Sequence, residues 1–203
     1  MATMNQSANA LPLPTLLADS CLSVNGAPIP MMYVSGSQIN AQLPFSASGN
    51  ATLVLRTPGG ISQGLNVTIQ PNAPSVFRSG TAGPTTGIPT VVRSANNTLV
   101  TASNPIHQSD AIIIYATGLG AVSPPVADGA AGPTKPLAVT TSVPTVSIGG
   151  VNLRVEYSGL APEMVGVYQI NARIVSKLPA GLSVPLVISQ GGATTTMPVR
   201  VVK

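Results

Sequence analysis

A serine stands at the centre of a G-x-S-x-G motif at residues 60–64, in a chain with one histidine and five carboxylates. In serine hydrolases this motif presents the serine as the nucleophile, a histidine takes its proton, and a carboxylate orients the imidazole. The set that this chain offers is Ser62 with His107 and either Asp110 or Asp128. These residues predict, as one alternative, a small esterase-like serine hydrolase.

The sequence around Ser62 argues against that role. A nucleophile elbow joins a strand to a helix, whereas residues 56–69 have the pattern of a strand, a Pro-Gly-Gly turn and a second strand. His107 lies in a polar loop before an apolar strand, where solvated histidines are common, and Asp110 is expected to close that turn by accepting backbone N–H bonds. We therefore favour no catalytic residue and keep the hydrolase as the alternative.

Metal and cofactor sites are not predicted either. The carboxylates are too dispersed for a glycosidase pair or a calcium cage; they are Asp19, Asp110, Asp128, Glu156 and Glu163. Asp128-Gly129 has the composition of a turn, with calcium binding as the alternative. Cys21 is the single cysteine, so the chain can form no internal disulfide and no cysteine-based metal site.

Tyrosines and asparagines on predicted strands raise the question of a binding surface. Tyr33, Tyr157 and Tyr168 could stack on sugars, although packing in the core is the commoner role of such residues. Asn40 and Asn171 each follow an isoleucine and are expected to satisfy backbone groups at strand ends. Carbohydrate or another cell-surface ligand remains a candidate partner.

Composition excludes several classes of protein. Charged residues make up 7% of the chain and apolar residues 44%, which is too apolar for a disordered chain. No apolar run approaches the roughly 20 residues of a membrane-spanning helix. The net charge is +4, but the Lys and Arg residues are scattered singly, so a nucleic-acid partner is not predicted. A surface of Ser, Thr, Asn and Gln predicts an extracellular or cell-surface location, although the first residues contain no export signal.

The chain contains an internal repeat. Residues 12–35 align with residues 136–159 at one constant spacing, which matches Pro12 with Pro136 and Tyr33 with Tyr157. The similarity resumes after an insertion in the second copy: Gln38-Ile39-Asn40-Ala41 returns at residues 169–172, and residues 59–62 return at 191–194, which sets Ser62 opposite Thr194. Such a repeat indicates two copies of one small folding unit.

Short runs of Val, Ile, Leu and Thr between Gly, Pro and Asn turns fill both copies and predict antiparallel strands. In copy one they lie at residues 22–24, 31–34, 39–43, 51–56 and 65–69, and in copy two at 143–148, 153–157, 168–174, 183–189 and 194–202. We therefore predict an all-β protein of two immunoglobulin-like sandwiches. The domains are residues 1–72, which are incomplete, and residues 73–203, which begin with a connecting hairpin.

Copy two has a further strand, the apolar run at residues 111–116, whose counterpart in copy one falls before residue 1. Without a central strand, copy one exposes unpaired backbone groups and an apolar trough. Three segments could fill it: residues 1–11, the segment between the copies, or a strand from another molecule. The last predicts self-association through an open strand edge, and a strand-complemented fibre subunit as a further alternative.

Several strings in copy two carry a family resemblance. Residues 112–129, IIIYATGLGAVSPPVADG, together with IGG at 148–150, YSGLAP at 157–162 and VGVYQIN at 165–171, resemble the Solibacter-type C-terminal domain of secreted acidobacterial proteins. Residues 33–45 and 56–60 resemble the half-module that precedes it. The resemblance implies an IPT/TIG-like, immunoglobulin-type sandwich, an extracellular location and a longer parent protein, and it supplies no catalytic residue.

Taken together, the residues and the resemblance predict a non-catalytic structural, adhesive or ligand-binding β-sandwich module from a larger secreted protein. The serine hydrolase and the fibre subunit are the two alternatives.

Overall fold

The computed structural model describes residues 5–79 and 87–203. Every regular element in these residues is a β-strand, and every pair of named strands is antiparallel. Proline and glycine, 20 of each in the chain, interrupt almost every stretch that could form a helix. The prediction of an all-β protein is confirmed.

The first unit, residues 5–72, contains two small sheets. Its strands are β1 (Gln6–Ser7), β2 (Cys21–Val24), β3 (Ala27–Pro28), β4 (Met31–Val34), β5 (Ile39–Ala41), β6 (Gly49–Thr57), β7 (Gly60–Ile61) and β8 (Leu65–Ile69). One sheet has the order β1-β4-β5, and the other has the order β3-β2-β6, with both β7 and β8 paired to β6. Each strand predicted in copy one overlaps a strand of this unit.

The second unit, residues 73–79 and 87–203, contains the other strands. They are β9 (Ser75–Val76), β10 (Arg78–Ser79), β11 (Ile88–Pro89), β12 (Val91–Arg93), β13 (Thr98–Leu99), β14 (Ala111–Thr117), β15 (Val122–Ser123), β16 (Val139–Thr140), β17 (Thr145–Ile148), β18 (Val151–Asn152), β19 (Arg154–Leu160), β20 (Tyr168–Arg173), β21 (Gly181–Gln190) and β22 (Ala193–Val201). The larger sheet has the order β13-β12-β14-β20-β19-β16-β15, with β9 also paired to β14. The smaller sheet has the order β18-β17-β21-β22, and β10 pairs with β11 alone.

The two sheets of the second unit bury one face each against the other, as in a β-sandwich. Alternate residues along β14 and β20 point inward, as the period of two in a strand requires. The innermost side chains, all 0% exposed, come from both sheets and include Ile112, Ile114, Ile170, Ile148, Leu186 and Ile188. Burying a side chain of this size stabilises the fold by about 1.5–3 kcal/mol.

The first unit has a much smaller core, divided into two clusters. One contains the buried residues Leu17, Met31 and Val34, and the other contains Val24, Ile29 and Ala51. Leu22 and Ala41 are half-buried and pack against both clusters. The first unit therefore derives less stabilisation from apolar burial than the second.

Two-residue turns with positive φ fix equivalent hairpins in the two units. Asn25 (φ 50°) and Gly26 (φ 82°) join β2 to β3, and Gly149 (φ 58°) and Gly150 (φ 81°) join β17 to β18. This turn type matches the right-handed twist of the flanking strands and requires Gly or Asn at both positions. The turns lie where the sequence repeat matches Gly26 with Gly150.

The two units contact each other around the turn at Asp128-Gly129. The Leu13 N–H donates to the Gly129 carbonyl (2.8 Å), and the Gly129 N–H donates to the side-chain oxygen of Gln42 (2.7 Å). The Phe45 N–H donates to Asp128 Oδ1 (3.0 Å), and the Phe45 ring packs against the core of the second unit. Asp128 thus lies in a turn, as predicted, and its carboxylate binds a backbone group of the other unit.

Candidate functional site at an open sheet edge

Ser62 lies in a hairpin of the first unit. β6 turns back into β7 at Pro58-Gly59, with Arg56 opposite Ile61 and Thr57 opposite Gly60. The G-x-S-x-G motif therefore begins with the two residues of β7 and ends in the segment before β8, so a strand and not a helix follows the serine. The Ser62 hydroxyl accepts from the Leu55 N–H (3.0 Å) and donates to the Gln63 carbonyl (2.9 Å). Both bonds are local, and they hold the hydroxyl against the hairpin backbone.

The hairpin pairing places Ser62 opposite Leu55, because the Ser62 N–H donates to the Leu55 carbonyl. Thr57 pairs with Gly60 around Pro58-Gly59, and Gln190 pairs with Ala193 around Gly191-Gly192. The alignment of Ser62 with Thr194 stays a prediction from the sequence.

His107 and Asp110 lie together in the second unit, where Asp110 is the centre of a hydrogen-bond cluster. Arg93 donates to both carboxylate oxygens of Asp110, from Nε (2.8 Å) and Nη2 (3.1 Å), and the His107 N–H donates to Oδ2 (2.7 Å). Arg93 also donates to Asn104 Oδ1 (3.0 Å). The prediction that Asp110 accepts a backbone N–H bond of its turn is confirmed.

The His107 imidazole takes little part in this cluster. Its Nδ1 is 3.7 Å from Asp110 Oδ2, which exceeds hydrogen-bond length, and its side chain is 43% exposed. Because the Arg93 guanidinium engages both oxygens of Asp110, the carboxylate binds β12 to the turn rather than orienting an imidazole. The hydrogen bonds of Ser62 are with Leu55 and Gln63 in the other unit, so these contacts do not assemble the three residues into a triad.

Opposing effects act on the pKa of Asp110. Burial raises the pKa of the carboxyl, while the Arg93 hydrogen bonds, the His107 N–H and the Arg93 charge lower it, and the pKa lies below its ordinary value of 3.8. The ionised carboxylate therefore stabilises the folded chain above pH 3.8. This stabilisation is lost as the pH falls through the folded-state pKa.

We expect Asp110→Asn to weaken the acid sensitivity of the protein. Wild type should lose stability below about pH 4, as Asp110 becomes protonated, whereas the variant should lose less over the same range. Urea unfolding monitored by circular dichroism at several pH values measures the loss of stability of wild type and of the variant. Glu163→Gln, at an exposed residue, is the matched control and should keep the wild-type profile. Identical profiles for Asp110→Asn and wild type would contradict the assignment.

The tyrosines differ in what they contact. Tyr168 is buried, its hydroxyl donates to the Gly120 carbonyl, and burial raises its pKa to about 12. The Tyr157 hydroxyl donates to the Leu160 carbonyl (2.8 Å), and burial raises its pKa as well. Tyr33 is half-buried on β4. Tyr168 is thus a packing residue that joins the start of β20 to the loop at Gly120.

Asn40 and Asn171 bind neighbouring side chains, which corrects their expected role at backbone groups. Gln38 Nε2 donates to Asn40 Oδ1 (2.7 Å), and Gln169 Nε2 donates to Asn171 Oδ1 (2.9 Å). Each pair lies two residues apart on one face of a strand. The i, i+2 spacing of two amides was the sequence signal for this contact.

β5 has a strand neighbour on one side only within the described residues, whereas β20 has two. β20 pairs with β19 on one side and with β14 on the other. β5 pairs with β4, and its other edge meets no strand. The Ser35 N–H donates to the Gln38 carbonyl, so by the alternation of an antiparallel ladder the backbone groups of Ile39 and Ala41 face the open edge.

In the part of the chain that the structure describes, neither segment that was a candidate to fill this edge does so. Gln6 and Ser7 of β1 pair with Val34 and Tyr33 of β4, on the side away from β5. β9 and β12, from the segment between the copies, both pair with β14 in the second unit. Residues 1–4 and 80–86, which belong to these two candidate segments, lie outside the described residues.

The side chains near the open edge are correspondingly less buried than their counterparts. In the second unit β14 supplies Ile112, Ile114 and Ala116, all 0% exposed, to the core. Several apolar residues that pack against the two clusters of the first unit are only half-buried; they are Leu22, Ile39, Ala41, Leu53, Val67 and Ile69. Two of them, Ile39 and Ala41, belong to β5, so the strand with the open edge keeps part of its apolar surface exposed.

The described residues contain no helix that could cross a membrane and no group of three His, Cys, Asp or Glu side chains placed to bind a metal. The open edge of β5 is the feature that sets the first unit apart from the second. Comparison of the chain with protein-family models, with curated proteins and with solved structures finds no match.

Proposed function

We propose that this chain is a non-catalytic structural module of a secreted protein, formed by two copies of an immunoglobulin-like sandwich, and that the first copy is completed by a strand from a partner. The observation that carries the proposal is the open edge of β5, a strand whose side chains Ile39 and Ala41 are only half-buried. The equivalent edge of β20 is covered by β14. Addition of a strand to an exposed edge is a common mode of protein association.

Matching irregularities support the view that the two units are copies. The β4–β5 ladder has a bulge between Met31 and Tyr33, and the β19–β20 ladder has one between Val155 and Tyr157. Beyond each bulge a tyrosine pairs with an asparagine: Tyr33 with Asn40, and Tyr157 with Asn171. Bulges are specific features of a sheet, so their recurrence at matching residues favours duplication over chance. The resemblance to the Solibacter-type domain agrees with an immunoglobulin-like sandwich.

The second unit indicates what the partner strand must look like. β14 offers branched apolar side chains to the core at every second residue, and its backbone pairs with β20 from Ala111 to Ala116. A strand that pairs with the backbone of Ile39 and Ala41 and places two such side chains beside theirs would bury further apolar surface. β14 itself is buried in the second unit, so we infer a donor outside the described residues.

The contacts of the predicted catalytic residues favour a structural role over hydrolysis. The Ser62 hydroxyl and both oxygens of Asp110 are engaged in bonds that hold a hairpin and a turn. A serine nucleophile needs a base within hydrogen-bond reach. The low content of charged residues, 7%, is the compositional support for a secreted protein.

A peptide that copies β14 tests the proposal. We expect a synthetic peptide of residues 110–118, extended with lysines for solubility, to bind the chain and to raise its melting temperature. At a hundredfold excess over Kd, such binding adds about 2.7 kcal/mol of stability. Isothermal calorimetry and thermal unfolding measure the two effects. A peptide with proline at the position of Ile113 cannot complete the ladder and should not bind.

Two variants of β5 locate the binding. Ile39 packs toward the apolar cluster, whereas Asn40 is exposed on the other face of the strand. Ile39→Lys should weaken peptide binding at least tenfold, because it places a charge among the apolar side chains that the added strand would cover. Asn40→Lys puts the same charge on the exposed face and should leave the affinity within about twofold. Absence of peptide binding to wild type, or equal loss in the two variants, would refute the proposal.

A further inference from the structure

The outward face of the larger sheet in the second unit carries a row of side chains that the strand-accepting edge does not explain. Phe77 follows β9, and its N–H donates to the Tyr115 carbonyl. Tyr115 pairs with Gln169, and Gln169 pairs with Gly159. Residues flanking Tyr115 and Gln169 along their strands point into the core, so these two side chains point outward. The row thus crosses four neighbouring strand segments.

Aromatic rings occupy both ends of this row. Phe77 is 41% exposed, and Tyr115 is half-buried beside it. At the other end the Tyr157 ring extends over Gly159: a Cβ built on Gly159 would lie 2.5 Å from the Tyr157 hydroxyl oxygen and 2.9 Å from Cζ. The hydrogen bond from this hydroxyl to the Leu160 carbonyl fixes the ring in place. Since neighbouring strands lie about 4.8 Å apart, Tyr115 and the Tyr157 ring flank Gln169 at about 10 Å from each other.

Two amides between the rings present a free donor and a free acceptor. Gln169 Nε2 donates to Asn171 Oδ1 (2.9 Å), which orients both groups. Among the described residues, Gln169 Oε1 and Asn171 Nδ2 make no other hydrogen bond. Asn171 pairs with Tyr157 on β19, so its amide lies beside the same aromatic ring. Both amides are half-buried on the outward face, where a ligand can reach them.

This combination selects one class of ligand. A pyranose ring has apolar C–H faces that stack on aromatic rings and hydroxyl groups that both donate and accept hydrogen bonds. An apolar protein surface would bury the two amides without hydrogen-bond partners, which is unfavourable. Nucleic acid requires clustered cations, and the nearby Arg154 and Arg173 are both paired with Glu156.

We propose that the face formed by Phe77, Tyr115, Tyr157, Gln169 and Asn171 binds a neutral polysaccharide, with sugar rings stacked on the aromatic side chains and a hydroxyl group bound between the two amides. The first unit provides an internal comparison. It repeats the amide pair as Gln38 and Asn40, but the open edge of β5 leaves that pair without the neighbouring strand that carries Tyr115 in the second unit. The binding face is complete in the second unit alone, and it does not depend on the partner strand proposed for the first.

Calorimetry with defined oligosaccharides tests this inference. We expect one or more of cellohexaose, xylohexaose, mannohexaose and chitohexaose to bind wild type with a Kd below 1 mM, roughly the weak end of measurable affinity. Tyr115→Ala and Gln169→Ala should each weaken that binding at least tenfold. Gln38→Ala, the equivalent change in the first unit, should leave the Kd within about twofold. Thermal unfolding of each variant establishes that the sandwich is intact.

Three outcomes would overturn the inference. The first is no binding of any of the four hexasaccharides at millimolar concentration. The second is binding that folded Tyr115→Ala and Gln169→Ala variants retain at the wild-type affinity. The third is binding of polygalacturonate alone, abolished by salt, which would assign the interaction to Arg154 and Arg173 and not to the aromatic face.

Discussion

Replacing Gly118 with alanine is expected to lower the free energy of unfolding by about 2–5 kcal/mol, the sum of a backbone and a packing cost. Gly118 has φ +76°, a conformation that costs an L-residue roughly 1–2 kcal/mol. A Cβ at this position would also lie 2.1 Å from the Ala73 carbonyl oxygen. Ala73 cannot move away freely, because its N–H donates to the Gly118 carbonyl (2.8 Å).

Gly150→Ala is the matched control for that experiment. Gly150 has almost the same backbone angle, φ +81°, but no atom lies within 4 Å of its Cβ position. The control therefore carries the backbone cost alone, about 1–2 kcal/mol. Urea unfolding monitored by circular dichroism gives both values. Equal losses of stability in the two variants would mean that the close approach of Ala73 contributes nothing.

Ile114→Ala is expected to destabilise the second unit by about 2–5 kcal/mol, the usual range for truncating a fully buried isoleucine. Ile114 is 0% exposed and lies in the middle of β14, opposite Val91 on one side and Ile170 on the other. Both neighbouring strands hold their positions through backbone bonds, so the cavity cannot close easily. The loss then includes the missing contacts as well as the lost burial.

Ile113→Ala removes the same atoms from the adjacent residue, which is half-buried on the outward face. This control should cost less, about 1–2 kcal/mol, since the side chain keeps part of its surface in water and its truncation leaves no enclosed cavity. The difference between the two variants measures the packing between the sheets. Unfolding curves with indistinguishable midpoints would be incompatible with a sandwich core centred on β14.

The strands of this protein were predictable where they alternate apolar and polar residues or form a long apolar run. β14, β20 and β21 overlap residues 111–116, 168–174 and 183–189, which the pattern predicted. Two-residue strands such as β1 and β16 were missed, because so short a bridge has no period to detect. β1 matters most among them, since its pairing with β4 shows that Gln6 and Ser7 are not the strand missing from β5.

The open edge of β5 could be predicted from the sequence. The row of side chains on the outward face of the larger sheet, which includes Phe77 and Tyr115, could not. Counting strands in the two copies predicted a missing neighbour, and β5 has none on that side within the described residues. The outward row depends on register. Phe77 and Tyr115 are far apart along the chain and meet because β9 joins the sheet of the second unit. No local pattern encodes such a pairing, since a shift of one residue would turn Tyr115 inward.

The bond between Gln42 and Gly129 ties the open edge to the junction of the two units. Gln42 follows Ala41 directly at the end of β5, and its side-chain oxygen accepts from the Gly129 N–H (2.7 Å). A strand that immobilises β5 would therefore also stiffen the contact between the two units at Gly129.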